Sequence, residues 1–214
     1  MKRSFVVLLM MAGCVLWEGQ AQGIDSVVSL PKPDTSGGMP LMRALKARKS
    51  SRLFSKRPLP DQVLSNLLWA AFGINRPDGH RTAPSARNWQ EISVYAVTET
   101  GAYLYDARTH ALRLVVGGDL RGKTGTQDFV AQAPLDLVYV ADLSKIDSRS
   151  DDDRAMYTGA DCGVIAQNVY LACASEGLAV VVRASIDRPA LAAAIHLTRD
   201  QRIILSQTVG YPKE

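Results

Sequence analysis

The segment that decides the fold runs from residue 159 to residue 187 and reads GADCGVIAQNVYLACASEGLAVVVRASID. Its first half predicts the end of the longest helix of the chain, over about 152–176, because Gly177 is a typical helix stop. The β-rich run LAVVVRA follows at once and predicts a strand, and a capped helix is then predicted over 187–195. Small residues recur on the long helix and would let a large neighbour pack closely: Gly159, Ala160, Gly163 and Ala166.

The rest of the chain predicts helices and strands that do not alternate strictly. Apolar periodicity predicts helices over 41–49, 60–72 and, more briefly, 126–131. Alternating or continuously apolar β-rich runs predict strands over 91–98, 102–106, 111–116, 135–141 and 202–210. The helices cluster early and late around the strands, so the sequence indicates an α+β fold.

The first 21 residues have the layout of a secretory signal. Two basic residues precede an apolar run over 5–16, which is too short to span a bilayer as a stable helix. The tetrapeptide at 11–14 also resembles a bacterial lipoprotein cleavage box, in which Cys14 would be lipidated and become the new N-terminus. We therefore expect an exported, periplasmic protein, either soluble or lipid-anchored. A cytosolic protein with an apolar N-terminal helix is the alternative.

The sequence divides into three parts: a signal peptide at 1–21, a Pro-, Gly- and Ser-rich extended lead-in at 22–40, and a single folded domain at 41–214. Of the 214 residues 47% are hydrophobic, which predicts a globular domain with a substantial core. The formal net charge is only +4, and acidic and basic residues are interspersed. We therefore expect no nucleic-acid partner.

The cysteines and histidines do not predict a disulfide or a metal site. Without Cys14 the chain keeps Cys162 and Cys173, which lie roughly 16 Å apart along one predicted helix at about 1.5 Å per residue. This distance is too long for a disulfide, so both thiols are predicted to be core residues. The three histidines are isolated in the sequence: His80, His110 and His196.

Residues 117–124, GGDLRGKT, match the spacing of a nucleotide-binding phosphate loop and follow a predicted strand. The predicted strand that ends near Asp142 even imitates the acidic partner strand of a nucleotide hydrolase. However, a phosphate loop needs a helix that opens at its last two residues, and Gly125 and Pro134 leave room for only about two turns. We therefore favour a polar loop at the end of a strand.

The segment ARKSSRLF at 47–54 is a candidate anion site. Arg48, Lys49 and Arg52 supply positive charge, and Ser50 supplies a hydroxyl. A phosphate monoester carries close to two negative charges and several acceptor oxygens, which matches such a cluster. The alternative is that bases at the end of a helix offset its dipole and need no ligand.

The segment APSARNWQEISVYAV at 83–97 is a second candidate. Pro84 fixes the chain, Ser85 and Ala86 permit close approach, and Asn88 offers both a donor and an acceptor. A planar ring with polar edges would fit this surface, since its face needs small neighbours and its edge needs donors. The alternative is an ordinary loop before a strand.

Together these segments resemble the nitroreductase-like family of FMN-dependent oxidoreductases. The resemblance rests on Arg-Lys-Ser-Ser-Arg-x-Phe at 48–54, Pro-Ser-x-x-Asn-x-Gln at 84–90, the segment 159–187 and Gly-Tyr-Pro within 209–212. It covers residues 40–212. Among the branches of the family, the sequence looks closest to single-domain members related to azoline-oxidising peptide dehydrogenases.

The resemblance implies an α+β fold with a mixed, mainly antiparallel sheet flanked by helices, and an intertwined homodimer with FMN in each interface. By position, the residues that would hold the FMN phosphate, the ribityl chain or the N1–O2 edge are Arg48, Lys49, Ser50 and Arg52. The residues that would line the flavin, with Ser85 supplied by the partner subunit, are Pro84, Ser85, Ala86 and Asn88. The residues that would lie along the isoalloxazine, where a backbone amide faces N5, are Val182, Arg183 and Ala184.

The implied function is transfer of hydride or electrons through FMN to a small conjugated electrophile, nitroaromatic- or quinone-like, in two half-reactions. Because the flavin carries this chemistry, we expect no essential side-chain acid or base. Many relatives have a basic residue near the phosphate after Gly-Tyr-Pro, and Lys213 is the candidate here. The catalytic Lys-Tyr pair of the peptide dehydrogenases has no clear counterpart, and the electron donor of an exported enzyme is open. The alternative is an exported binding protein of the same fold without catalytic activity.

Overall fold

The computed structural model describes residues 26–148 and 150–213, so the signal predicted at 1–21 and its Cys14 lie outside the described residues. Seven strands form one sheet: β1 (Val27–Ser29), β2 (Ile92–Val97), β3 (Gly101–Asp106), β4 (Ala111–Gly117), β5 (Leu135–Asp142), β6 (Ala179–Arg183) and β7 (Gln201–Gly210). The helices are α1 (Leu41–Ala47), α2 (Asp61–Phe72), α3 (Asp151–Glu176) and α4 (Arg188–Ala194). No helix in this part of the chain is long and apolar enough to cross a membrane.

The sheet has the order β1-β4-β3-β2-β5-β7-β6, and each pair of neighbouring strands is antiparallel. The predicted α+β fold with a mainly antiparallel sheet is therefore confirmed. Successive side chains of a strand point to opposite faces, and β5 is apolar on both. Its Leu137 and Tyr139 pack in the core that contains α2 and α3, whereas Val138 and Val140 pack against Leu191 of α4. Helices cover both faces, which explains why residues 137–141 of β5 form a continuous apolar run.

The longest helix, α3, agrees with the sequence signals at both ends. The Ser150 hydroxyl caps it by accepting a hydrogen bond from the Asp153 amide, and three aspartates in the first turn complement the helix dipole. Gly177 adopts the left-handed conformation (φ 69°) that ends the helix. Cys162 and Cys173 are both fully buried and free, as predicted. Of the small residues, Ala166 is a core residue, whereas Gly159, Ala160 and Gly163 are exposed.

One local prediction is wrong. The predicted helix at 126–131 is a run of turns, in which the Val130 amide reaches only back to the Gln127 carbonyl (3.2 Å). The Thr126 amide instead donates to the Ser185 carbonyl (3.1 Å), so this segment is tied to a loop rather than wound as a helix. The lead-in also contains β1, which pairs with β4 at the edge of the sheet. A three-residue strand is too short to show periodicity in the sequence.

A chain of hydrogen bonds fastens the lead-in to the domain. The fully buried Ser65 hydroxyl of α2 donates to the Pro31 carbonyl (2.6 Å) and lies 2.7 Å from His110 Nε2. The hydroxyl of Tyr105 lies 2.9 Å from Nδ1 of the same imidazole. Since Ser65 uses its proton on Pro31, His110 donates from Nε2 and accepts at Nδ1. Burial lowers the pKa of His110, which keeps the imidazole neutral for this arrangement.

We expect Ser65→Ala to lower the free energy of unfolding by about 1–3 kcal/mol, because the Pro31 carbonyl and the His110 imidazole both lose a partner. Urea unfolding measures this loss. Ser185→Ala is the matched control, because Ser185 is exposed and its hydroxyl makes no hydrogen bond among the described residues. Equal stability of the two variants would contradict the assigned role of Ser65.

Candidate functional site

The basic segment (residues 48–52) follows α1 and lies against the outer strand β6. The Ser51 amide donates to the Val180 carbonyl (2.9 Å), which ties the segment to β6. The Ser50 hydroxyl lies 2.8 Å from the Tyr170 hydroxyl of α3, which also accepts a hydrogen bond from the Val182 amide (3.0 Å). Tyr170 therefore joins two of the segments in which the sequence predicts cofactor contacts.

The basic segment carries positive charge that the described chain does not neutralise. The Arg48 guanidinium lies 5.3 Å from the centroid of the Tyr170 ring, a cation–π distance. A cavity of about 510 Å³ is lined by Lys49, Tyr170 and Lys213, among others, and the Lys213 amide donates to the Leu53 carbonyl (3.2 Å). Four cations have no carboxylate of residues 26–148 and 150–213 within 4.0 Å: Arg48, Lys49, Arg52 and Lys213. Their chemistry suits an anionic ligand.

The second predicted cluster, Pro84–Asn88, is called the ledge below. The Ala86 amide donates to Asp161 Oδ2 of α3 (2.8 Å), and the Ser85 hydroxyl donates to Glu91 Oε2 (3.1 Å). Arg87 and Asn88 are exposed and lie in a 3₁₀ turn with positive φ angles of 50° and 56°. The ledge is therefore a strained loop whose small residues face two buried carboxyl groups.

The ledge and the basic segment contact different levels of α3. Asp161 binds the ledge and Tyr170 binds the basic segment. These two residues are nine positions apart, which is roughly 13 Å along the helix axis at about 1.5 Å per residue. One chain thus presents two separate halves of the predicted site along one helix.

The side chain of Arg183 does not face the side of β6 that carries Tyr170. It is 3% exposed and its Nη2 forms an ion pair with the fully buried Asp136 Oδ1 (2.8 Å). The same Nη2 donates to the Ser206 hydroxyl (3.0 Å), Nη1 donates to the Thr124 carbonyl (2.8 Å) and Nε donates to the Thr208 hydroxyl (3.0 Å). Val182 points to the opposite face because neighbouring side chains of a strand alternate. Only the backbone of Arg183 is available to a ligand on the Tyr170 face, and Ala184 is exposed just after β6.

The same network excludes a phosphate loop at 117–124. A 3₁₀ turn at Arg121–Lys123 takes the place of the helix that such a loop requires. The hydroxyl of Thr124, which would have to reach a metal ion, is buried and bonded to the Arg121 carbonyl (2.8 Å). Within the described ranges, no group of three His, Cys, Asp or Glu side chains could hold a metal ion.

The profile of the nitroreductase family matches residues 45–211. The chain belongs to the nitroreductase family. A protein of Methanocaldococcus jannaschii that is classed as a nitroreductase is 31% identical over 144 residues, which cover 63% of this chain and 73% of that protein. Family membership supports an oxidoreductase.

Solved structures show the same relationship. A crystal structure from Ralstonia eutropha, also classed as a nitroreductase, has a TM-score of 0.84 and 46% identity over 90% of this chain and 92% of its own. The NADPH:FMN oxidoreductase of Vibrio harveyi, solved with NAD⁺, has a TM-score of 0.61 and 20% identity over 81% of this chain and 69% of its own. The second likeness shows the shared fold alone.

Three residues that organise the site of this nitroreductase-family protein escaped the sequence argument: Glu91, Asp161 and Tyr170. The signal that could have found them is polarity at positions where the pattern calls for apolar residues. Glu91 opens a buried strand, and Asp161 lies on the buried face of α3. Their partners are distant in the sequence, so the pairing itself was not visible.

We expect Arg183→Met to destabilise the nitroreductase fold by about 3–5 kcal/mol above pH 7, because the charged Asp136 carboxylate loses its buried partner. Burial raises the pKa of Asp136 to about 7, although Arg183 opposes the shift. The loss should shrink as the pH falls below about 7, because Asp136 is then neutral in the native protein and only the hydrogen bonds of Arg183 are lost. Urea unfolding at several pH values measures both effects.

The control is Arg113→Met, which removes the partner of Asp106. That arginine side chain is 58% exposed, so its loss should cost no more than about 1 kcal/mol. Equal losses for the two variants would show that Arg183 is not held in a buried ion pair.

Proposed function

We propose that this protein is an exported FMN-dependent oxidoreductase that transfers hydride or electrons to a small conjugated electrophile, nitroaromatic- or quinone-like, in two half-reactions. The observation that carries the proposal is the basic segment with its unneutralised cations, beside a cavity that Lys49 and Lys213 line, in a chain of the nitroreductase family. The name of the structurally similar Vibrio harveyi enzyme, an FMN oxidoreductase, supports this choice of cofactor.

The residues present fit FMN. A phosphate monoester needs clustered cations and hydroxyl donors, and the basic segment offers Arg48, Lys49, Arg52 and Ser50, with Lys213 beside them. When bound, FMN would supply the hydride chemistry. Arg48 or Arg52 would in addition stabilise negative charge at the N1–O2 edge of the ring. No side-chain acid or base is assigned to the reaction.

The backbone of residues 182–184 is proposed to run beside the ring. The Val182 amide is engaged with Tyr170 and Arg183 pairs with Ser206 of β7, so the amide of Ala184, just after β6, is the one proposed to face the ring. The small side chains of Ser85 and Ala86 and the amide of Asn88 would line the ring from the ledge. Within one chain the ledge and the basic segment lie apart along α3. We therefore propose that each flavin is bound by the basic segment of one subunit and the ledge of its partner.

A homodimer would also explain the exposed face of α3. Met156 is 57% exposed and Val164 is 38% exposed on this helix, and both flank Gly159 and Gly163. On the neighbouring α1, Leu41 and other large apolar side chains are exposed. A symmetric dimer buries such a self-complementary surface, and small residues allow two helices to approach closely.

Gly163→Leu should weaken or abolish dimerisation. A Cβ atom added at Gly163 meets no atom of its own chain within 4 Å, so the variant should fold normally. Light scattering coupled to gel filtration, as a function of concentration, measures the dimer. Glu176→Leu, an equally bulky change at the exposed end of α3, should leave it intact. A Gly163→Leu protein that remains fully dimeric would refute this interface.

The absorbance spectrum of the purified mature protein, before and after addition of FMN, tests the cofactor. We expect oxidised flavin bands and tight binding. The double variant Arg48→Gln/Arg52→Gln should bind FMN at least about 100-fold more weakly, because two charge-assisted contacts of about 1.5–3 kcal/mol each are lost. A double variant that stays fully loaded would remove these arginines from the site.

The matched control is Arg108→Gln/Arg199→Gln, which makes the same change of charge at two exposed positions outside the basic segment and the ledge. A wild-type protein that is colourless and also refuses FMN would favour an exported binding protein that kept the fold without the activity. The relation to azoline-oxidising peptide dehydrogenases stays a prediction. Export, a lipid anchor at Cys14 and the identity of the electron donor are likewise parts of the proposal.

A further inference from the structure

Two carboxyl groups lie beneath the ledge and take no part in the proposed chemistry. Glu91 is 0% exposed and Asp161 is 6% exposed. Glu91 Oε2 accepts from the Ser85 hydroxyl (3.1 Å), and Asp161 Oδ2 accepts from the Ala86 amide (2.8 Å). Ser85 and Ala86 are adjacent in the chain, so two successive ledge residues are each bound by a different buried carboxyl group.

The pair contains one polar atom without a partner. Glu91 Oε1 is buried and has no hydrogen-bond partner among the described residues. Burial raises the pKa of Glu91 to about 7, and the charge and hydrogen bonding of Asp161 raise it as well, whereas hydrogen bonds from its own backbone and from Ser85 lower it. A protonated Oε1 would donate to Asp161 and would satisfy both groups with a single proton.

The ledge needs such restraint because its backbone is strained. Three of the four residues from 87 to 90 have positive φ angles although none is a glycine: Arg87 (50°), Asn88 (56°) and Gln90 (48°). L-residues rarely adopt this conformation, so the surrounding contacts must hold it. The Gln90 amide donates to the Ser85 hydroxyl oxygen (2.9 Å), which extends the Glu91 contact to the far end of the turn.

We propose that Glu91 and Asp161 are positioning residues, which fasten the ledge to the sheet and to α3 as a carboxyl pair that shares one proton. When this shared proton is lost, two buried carboxylates repel each other and their hydrogen bonds to Ser85 and Ala86 weaken. In so far as the ledge receives the flavin, this inference rests on the proposed function. The hold on the ledge itself does not depend on a cofactor.

The charges around the pair are few. Asp161 is the charged group that acts on Glu91, and the buried Cys162 thiol of α3 lies close enough to Glu91 that the carboxylate raises the pKa of the thiol, after burial itself. The Lys145 ammonium donates to the Gln90 carbonyl (3.2 Å) on the outer side of the turn. Neither a thiol nor this exposed amine replaces the proton within the pair, so deprotonation leaves the repulsion uncompensated.

Hydrogen exchange of the Ala86 amide in the full-length, FMN-free protein tests the pair directly. After correction for the intrinsic pH dependence of exchange, protection of the wild-type amide should fall roughly tenfold between about pH 6 and pH 8, because the closed ledge favours a protonated Glu91 and the open ledge does not. Glu91→Gln should abolish this slope and keep the protection, because the introduced amide donates where the shared proton did. Asp161→Asn should keep the protection and flatten the slope, because the repulsion is lost although Glu91 stays buried. Glu91→Ala should lose protection at every pH.

The control is Glu99→Gln, which removes one negative charge at an exposed turn and should keep the wild-type slope. A wild-type amide whose protection does not change with pH, or a Glu91→Gln protein that keeps the slope, would overturn the inference. If Glu91 had a merely structural role, Glu91→Gln and Glu91→Ala would both lose protection of the Ala86 amide. The wild-type protection would then not depend on pH.

The dissociation constant of FMN gives a second measurement that separates the two proposals. It should weaken with rising pH more steeply in wild type than in Glu91→Gln, as the exchange data do. The phosphate of FMN titrates in both proteins, so its contribution cancels when the two pH slopes are compared. If Ala86 behaves as expected but no form binds FMN, the pair holds the ledge and the proposed function fails. If FMN binds and neither measurement responds to Glu91→Gln, the proposed function stands and the inference fails.

Discussion

The packing of α3 on the sheet is the constraint on which the candidate site depends. One face of the helix buries Ile165 and Val169 against the core, and this fixes where its polar residues lie. Asp161 then meets the ledge and Tyr170 meets the basic segment. The opposite face stays exposed with glycines at its centre. A single helix therefore positions both the ledge and the basic segment, and its exposed face is the one that the proposed homodimer would bury.

The arginines show how burial separates structural from functional charge. Arg183 is enclosed, and each of its donors has a partner in the protein, so it stabilises the sheet and leaves nothing for a ligand. Arg48 and Arg52 lie in the polar basic segment and have no carboxylate within 4.0 Å in the described chain. A buried cation without a partner is costly, whereas an exposed one is not. The free cations are therefore those that can bind an anion.

Carboxyl groups follow the same rule near the ledge. Glu91 and Asp161 are buried without a cation, and a shared proton takes the place that Arg183 has beside Asp136. The ledge combines this pair with a strained turn, which is a common arrangement where a protein must hold a rigid surface for a ligand. Membership of the nitroreductase family supports an oxidoreductase. In the proposed function, the rigid ledge would hold the ring of the cofactor in place.

The sequence by itself determined the long helix, its end at Gly177, most of the strands and the two polar segments, because periodicity, caps and turn residues are local. The antiparallel pairing of the strands was implied only by the family resemblance. The sequence did not determine β1 or the turns at 126–131, since partners distant in the chain, β4 and Ser185, decided those conformations. Nor did it reveal that Arg183 turns away from the Tyr170 face or that Glu91 lies near Asp161. Burial and pairing are properties of the packed chain, so only the tertiary structure decided which charges are neutralised and which are free.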